Sequence, residues 1–226
     1  MLEILFWILI ITIFTVFGSW YSRKYKRPDA LIGLYVAFVL ISNIIAFKIV
    51  EFNLGFYTFY ATAATLVFAV TFLMTDIVNE RFGRVETQKM ILIAFISQIA
   101  TACFIWIALS LKPAPFFTAN ESFTAVLGFA PRVMIAGWIA FIISENLDAY
   151  IFSWFKTLTK GKHLWLRNSL SSIPAMLIDS IIFVTIAFYG LQDLLPLILG
   201  VTVIKWIVGI IDIPFMYLNR YVLYKK

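Results

Sequence analysis

Long apolar runs alternate with short polar segments along this chain of 226 residues. A helix needs about 20 mostly apolar residues to cross the hydrocarbon core of a membrane. Seven runs come close to this length or exceed it, and they define the predicted spans: 2–21, 30–50, 57–75, 88–111, 132–152, 168–189 and 195–217. The pattern therefore predicts an all-α integral membrane protein with seven transmembrane helices.

The composition excludes the main soluble classes. Hydrophobic residues make up 62% of the chain and charged residues 13%, whereas soluble domains have about 45–50% and about 25%. The single Cys103 excludes an internal disulfide, and the single His163 excludes a metal motif with two histidines. We expect no catalytic residue, no metal site and no cofactor. In a membrane protein the net charge of +6 indicates basic cytoplasmic loops rather than nucleic acid binding.

Basic residues concentrate in alternate segments between the predicted spans. These segments hold 14 of the 18 Lys and Arg residues: Arg23, Lys24, Lys26, Arg27, Arg81, Arg84, Lys89, Lys156, Lys160, Lys162, Arg167, Arg220, Lys225 and Lys226. The positive-inside rule then predicts an N-terminus outside and a C-terminus inside. The first run lacks a basic segment before it, which favours an uncleaved anchor over a signal peptide. No Ser/Gly linker divides the chain, so we expect one transmembrane domain over residues 1–226.

Several polar residues fall deep within the predicted spans. With each span centred on the midplane and a rise of 1.5 Å per residue, Asp179 and Lys205 lie near the midplane, as does Gln98. Asn43 lies about 4–5 Å to the outer side and Glu145 about 4–5 Å to the inner side. Three further carboxylates lie closer to the inner face: Asp148, Asp212 and Asp76.

These buried polar residues admit two interpretations. A charge at the bilayer centre costs about 2.5–3.5 kcal/mol on insertion scales, so it needs a partner or a function. Asp179 and Lys205 alone would fit an ion pair that only joins two helices. The whole set favours an internal polar cavity, because Gln98, Asn43 and Glu145 would otherwise need partners of their own. For Asp148, contact with water is an equal alternative.

The run T-D-I-V-N-E-R-F-G at 75–83 resembles the hallmark of the queuosine precursor transporter family (YhhQ type, also called the VUT family). Three further regions agree with that family, in the same order. They are S-N at 42–43, L-D-A-Y-I-F at 147–152, and W-L-R-N-S at 165–169 together with L-I-D-S-I-I-F at 177–183. The resemblance implies a core of six helices over residues 30–217, with residues 1–22 as an extra N-terminal span.

The resemblance also implies a function. It implies import of 7-cyano- or 7-aminomethyl-7-deazaguanine, or of queuine, across a bacterial inner membrane. Implied or expected partners are a small nucleobase-like substrate, the lipid bilayer and a second copy in a possible homodimer. Family-like motif positions are Asn43, Asp76, Asn79, Asn168 and Asp179. The sequence departs from the family pattern at Met176, where a Gln is common, and at Ser169, where an Asn is common.

Resemblance and depth together give the candidate site. The predicted substrate-binding residues are Asn43, Asp76, Gln98, Glu145, Asn168, Asp179 and Lys205. The predicted supporting polar network consists of Asn79, Glu80, Arg81, Asp148 and Asp212. A carboxylate can accept both N–H donors of a guanine-like edge, and an amide or ammonium can donate to its carbonyl oxygen.

Three alternatives stay open at this point. A lysine in the seventh span also suits a retinal photoreceptor, although the motif at 75–83 has no role there. A substrate-binding membrane subunit could work with a separate ATPase, since the chain has no phosphate-binding loop of its own. A membrane enzyme is the third alternative, and no nucleophile–base motif supports it.

Overall fold

The computed structural model describes residues 2–53, 58–128, 131–159, 164–190 and 193–224, with side chains described except at 2–5, 69, 131–134 and 164–169. Within these ranges the chain forms eight helices and one hairpin. The helices are α1 (Leu2–Tyr25), α2 (Asp29–Ile45), α3 (Ala64–Phe82), α4 (Arg84–Ser110), α5 (Asn120–Leu127), α6 (Pro131–Leu158), α7 (Leu164–Phe188) and α8 (Leu194–Tyr224). The hairpin joins β1 (Ile49–Asn53) to β2 (Thr58–Thr62).

Long apolar helices confirm the membrane class. Within the described residues, five helices are long and apolar enough to cross a bilayer: Phe6–Tyr25, Arg84–Ser110, Ile135–Leu158, Leu170–Phe188 and Leu194–Tyr224. Large side chains such as Phe104 and Trp106 on α4 are more than 70% exposed, as expected for a surface that faces lipid. The chain is thus a multi-pass membrane protein. The count of seven spans and the outward N-terminus stay predictions.

The prediction of an all-α chain was wrong at 49–62. Here β1 and β2 pair antiparallel, with Ile49 opposite Thr62 and Asn53 opposite Thr58. Both strands are rich in β-branched and aromatic residues, which favour extended backbone. The mean hydropathy of a short apolar run is the same whether the run folds as a strand or as a helix. For this reason hydropathy placed β2 within the predicted span 57–75.

The third helix also lies further along the chain than the predicted span 57–75. It begins at Ala64 and continues to Phe82, through Asp76, Asn79 and Glu80. These polar residues end the apolar run, but they are buried in the structure. The helix continues because other helices supply partners for them. Only Gly83, with a φ of 84°, separates α3 from α4, and a side chain would be strained in that conformation.

Helix α3 lies at the centre of the bundle, in contact with α2, α4, α6, α7 and α8. The most extensive helix packing joins α6 to α7, and α1 packs outside against α2 and α8. We call the end of the bundle that carries β1 and β2 the hairpin end. The opposite end, where α1 and α3 finish and α4 begins, carries Arg23, Arg84, Lys156 and Arg220. We call it the basic end.

Candidate functional site

A cavity lies within the half of the bundle nearest the hairpin. It has a volume of about 520 Å³, including its open mouth. Helices α2, α3, α4, α6, α7 and α8 all contribute to its wall, as does β2. The lining residues are Ser42, Asn43, Ala46, Thr62, Ala64, Thr65, Phe68, Gln98, Gly137, Ala140, Asp179, Phe183, Val201 and Lys205. The wall therefore combines apolar surface with a few convergent polar groups, as small-molecule sites do.

An ion pair between α7 and α8 forms the charged part of this wall. Lys205 Nζ donates to Asp179 Oδ2, and both side chains are about 95% buried. Ser144 Oγ on α6 donates to the other carboxylate oxygen, Oδ1, at 3.0 Å. The Lys205 ammonium also lies 5.1 Å from the centre of the Phe68 ring, within cation–π range. The ion pair between Asp179 and Lys205, which was one interpretation of the sequence, is thus present in the structure.

Two amide side chains form a second polar group in the wall. Asn43 Nδ2 on α2 donates to Gln98 Oε1 on α4 at 2.8 Å. Gln98 is 3% exposed, and its Nε2 has no hydrogen-bond partner within the described residues. Because Oε1 already accepts from Asn43, the group left for a ligand is an N–H donor. A ligand with a carbonyl oxygen would satisfy it.

A second cavity adjoins the first on the hairpin side. It shares Asn43, Gln98 and Phe183 with the first cavity, and Val126 and Leu127 of α5 line its far side. Helix α5 thus lies over a space that continues from the polar cavity. The two cavities are therefore adjacent, with Asn43, Gln98 and Phe183 in the wall of each.

Toward the basic end, buried polar side chains of α3, α6 and α7 form hydrogen bonds with one another, and we call this group the polar seam. Thr71 donates to Glu145 Oε1 at 3.1 Å, and Thr75 donates to Asp148 Oδ2 at 3.3 Å. Ser172 donates to Asp148 Oδ1 at 3.0 Å. Both carboxylates are fully buried. Hydrogen bonds between buried side chains, and not only apolar packing, therefore hold α3, α6 and α7 together on this side of the cavity.

Asn79 continues this polar layer from the seam toward the basic end. Its amide nitrogen donates to the backbone oxygen of Ala149 at 3.0 Å, and Ser153 donates to its amide oxygen at 2.9 Å. Both partners lie on α6. The end of α3 is therefore held against α6 by side-chain hydrogen bonds as well as by packing.

The seam ends at a group of charges that we call the basic-end clasp. Glu80 on α3 forms ion pairs of 3.5 Å with Lys156 on α6 and with Arg220 on α8. Lys156 also donates to the backbone oxygen of Glu80 at 2.6 Å, and Tyr224 donates to the same oxygen at 3.2 Å. The Arg81 guanidinium lies 4.9 Å from the Tyr224 ring centre. The clasp ties three helices together at the end opposite the cavity.

Comparison with known proteins identifies the family. The family model described as "Putative vitamin uptake transporter" matches residues 62–219. The chain belongs to this family. A Bacillus subtilis (strain 168) protein named "Probable queuosine precursor transporter" is 28% identical over 217 residues, which are 94% of this chain and 92% of the relative. A protein of the same name from Haemophilus influenzae (strain ATCC 51907 / DSM 11121 / KW20 / Rd) is 28% identical over 137 residues, 61% of this chain and 56% of that relative. No solved structure matches the chain.

The chain is therefore a transporter and not an enzyme. Four predicted substrate-binding residues line the cavity of the transporter: Asn43, Gln98, Asp179 and Lys205. Glu145 lies in the polar seam instead, and the fully buried Asp76 lies beside Asp148 of the seam. The side chain of Asn168 falls outside the part of the chain that the structure describes. Their roles as substrate contacts stay predictions.

The predicted supporting residues of the transporter separate into two groups. Four of them lie in the polar layer between cavity and basic end: Asn79, Glu80, Arg81 and Asp148. Asp212 is apart from these on α8, 2% exposed, and neither of its carboxylate oxygens has a hydrogen-bond partner within the described residues. Within the part of the chain that the structure describes, no contact explains Asp212.

Sequence reasoning missed two residues that shape the site of the transporter. Ser144 orients Asp179 through a hydrogen bond, and Phe68 lies beside the Lys205 ammonium. Serine is common where membrane helices pack, so Ser144 carried little signal apart from its position next to Glu145. Phe68 is one of 23 phenylalanines, and composition alone cannot select it.

Proposed function

We propose that this transporter imports 7-deazaguanine precursors of queuosine, namely the 7-cyano or 7-aminomethyl compound or queuine. The membrane would be a bacterial inner membrane, with the hairpin end outside as the distribution of basic residues predicts. Two relatives with this printed substrate class support the proposal. The ion pair of Asp179 and Lys205 and the amide of Gln98, which all line the cavity, support it independently.

The observation that carries the proposal is the combination of a buried ion pair and a buried amide donor in the wall of one cavity. A guanine-like edge presents two adjacent N–H donors beside a carbonyl acceptor. Asp179 would accept the two donors, in place of its bond to Lys205. Lys205 and Gln98 Nε2 would then serve the carbonyl oxygen. Every polar group exposed by separating Asp179 from Lys205 would thus regain a partner on the substrate.

Aromatic side chains would hold the faces of the base. Phe68 and Phe183 both line the cavity, from α3 and α7. Flat ligands are commonly bound against such rings, because the contact buries apolar area on both faces. Phe68 already contacts the Lys205 ammonium, so a base inserted here would lie next to the charged pair.

The test is uptake of labelled 7-cyano-7-deazaguanine by a bacterial host that lacks its own transporter and its own synthesis of the compound. We expect uptake from this gene alone, with competition by the 7-aminomethyl compound and weak competition by adenine, whose edge lacks the matching donors. Uptake that no 7-deazaguanine inhibits would contradict the proposal. Uptake that appears only with an added ATPase module would make the chain a binding subunit instead.

A further inference from the structure

Glu145 differs from two other buried carboxylates, those of Asp179 and Glu80, which have basic partners. Asp179 pairs with Lys205, and Glu80 pairs with Lys156 and Arg220. Glu145 is 0% exposed, and Thr71 donates to its Oε1 at 3.1 Å. Its Oε2 has no hydrogen-bond partner, and no basic residue pairs with it, within the described residues. A fully buried carboxyl group is thus left with one oxygen unsatisfied.

A tyrosine hydroxyl lies beside the carboxyl group of Glu145. Tyr35 on α2 is fully buried, and its neighbouring acidic groups are Glu145 and, further off, Asp148. Tyr35 Oη has no hydrogen-bond partner of normal geometry within the described residues. A phenol can accept a hydrogen bond from a carboxylic acid and donate one to a carboxylate. Tyr35 can therefore form a hydrogen bond with Glu145 in either protonation state.

No described neighbour of Glu145 offers a compensating cation in direct contact. The groups that face it are Tyr35 on α2, Thr71 on α3, Asp148 on α6 and Asp179 on α7. Lys205 on α8 is engaged by Asp179. Helix α4 also packs on α6, and its charged residues lie in its first two turns at the basic end: Arg84, Glu86 and Lys89. A lone carboxylate at this depth costs several kcal/mol, which the neutral acid avoids.

We propose that Glu145 binds and releases one proton in each transport cycle, so that uptake of the substrate is coupled to entry of protons. This inference rests on the proposed function, because a coupling residue needs a substrate that moves with the proton. It assigns Glu145 a role in coupling rather than in contact with the base. As the neutral acid, Glu145 would carry its proton on Oε2, because Oε1 already accepts a hydrogen bond from Thr71.

The position of Glu145 suits this role. Ser144, the preceding residue, bonds to Asp179 in the cavity wall, whereas Asp148, one turn further along α6, is the centre of the polar seam. Glu145 thus lies in the polar seam next to the cavity wall, and the seam leads from there toward the basic end. A proton would enter through the cavity, form the O–H bond on Oε2, and leave as Glu145 becomes a carboxylate that accepts from Thr71 and Tyr35.

The experiment uses the purified full chain in liposomes that contain a pH-sensitive dye. The neutral 7-cyano compound is added outside, so any acidification inside reports proton entry. We expect acidification with the wild-type protein, and accumulation of about tenfold for an imposed gradient of one pH unit if one proton accompanies each substrate. Accumulation without acidification, and without dependence on the gradient, would overturn the inference but leave the proposed function intact.

The variant Glu145→Gln separates coupling from transport. We expect it to lose gradient-driven accumulation but to keep exchange of labelled for unlabelled substrate, which needs no net proton movement. Glu121→Gln changes an exposed acid on α5 and should behave as wild type in both assays. Loss of exchange by folded Glu145→Gln would overturn the inference, since Glu145 would then belong to the binding residues. No exchange by the wild type would instead contradict the proposed function.

A second variant covers the case in which Glu145→Gln does not fold. Tyr35→Phe removes only the hydroxyl beside Glu145 and keeps the ring in its packing. We expect it to shift the pH at which accumulation is half-maximal and to leave exchange unchanged. An unchanged pH profile in Tyr35→Phe, with normal accumulation, would contradict the proposed part of Tyr35 in holding the proton.

Discussion

Separating the members of the Asp179–Lys205 pair gives the sharpest test of the candidate site. Both side chains are about 95% buried, so Asp179→Asn leaves an ammonium with no counter-charge in the cavity wall. Loss of one member of a buried pair costs about 3–5 kcal/mol. For a chain of this size each kcal/mol shifts Tm by about 2–4 °C, so the expected fall is roughly 6–20 °C. We expect no uptake by this variant.

The double variant Asp179→Leu with Lys205→Met distinguishes stability from function. An apolar pair of similar volume can replace a buried ion pair with little loss, and in some proteins with a gain of about 1–4 kcal/mol. We therefore expect Tm to return to within a few degrees of wild type, by about the same conversion. Uptake should stay absent, because the groups that would contact the base have been removed.

Thermal unfolding in detergent and uptake in cells, at matched expression, measure the two effects. The exposed pair of Glu86 and Lys89 provides the control, with N–O separation of 2.6 Å on the surface of α4. Replacing both by Gln should cost about 0–1 kcal/mol and leave uptake normal. A double variant of Asp179 and Lys205 that folds and transports normally would refute the reasoning and make that pair purely structural.

Three further predictions follow from other parts of the structure. A reporter that is active only in the cytoplasm should be active when it is fused after the last residue and inactive when it is fused before the first residue. Activity of the fusion at the first residue would contradict the predicted orientation. Gln98→Leu should raise the KM for uptake roughly 5–30-fold, which is the equivalent of about 1–2 kcal/mol for one lost hydrogen bond. An unchanged KM would exclude Gln98 from the site. Gly200→Val should destabilise the protein by about 1–3 kcal/mol in thermal unfolding, because a Cβ there would lie 2.9 Å from the Tyr60 backbone oxygen. Gly33→Ala is the control and should not destabilise the protein, because a Cβ at that position meets no atom within 4 Å.

The depth of polar residues was predictable because it follows from the rise of a helix alone. Asp179 and Lys205 lie about halfway along consecutive apolar runs joined by a short turn, so the sequence by itself predicts that they interact, either directly or through the ligand. The same argument placed Gln98 and Asn43 at similar depth, and the two are bonded. Depth does not give direction around the helix axis, which is why Glu145 was expected in the cavity and lies in the seam instead.

The hairpin and the true limits of α3 could not be read from hydropathy. Hydropathy scores each residue alone, and it ended the third span at Thr75 because Asp76 follows. The helix continues because its polar residues find partners about 70 positions later, such as Ser153 for Asn79 and Lys156 for Glu80. The motif at 75–83 marked this segment through family resemblance. Only the tertiary contacts show what its polar residues do.

The shortness of α2 has a consequence for the surrounding lipid. Its 17 residues span about 25 Å, less than the roughly 30 Å of a typical hydrocarbon core. The hairpin that follows is a two-stranded sheet, and hydrocarbon cannot solvate the backbone edges of such a sheet. A locally thinner bilayer would bring these edges to the headgroups, at a cost of fractions of a kcal/mol per ångström. Since Thr62 of β2 lines the cavity, acyl-chain length should alter the shape of the cavity mouth and with it the rate of transport.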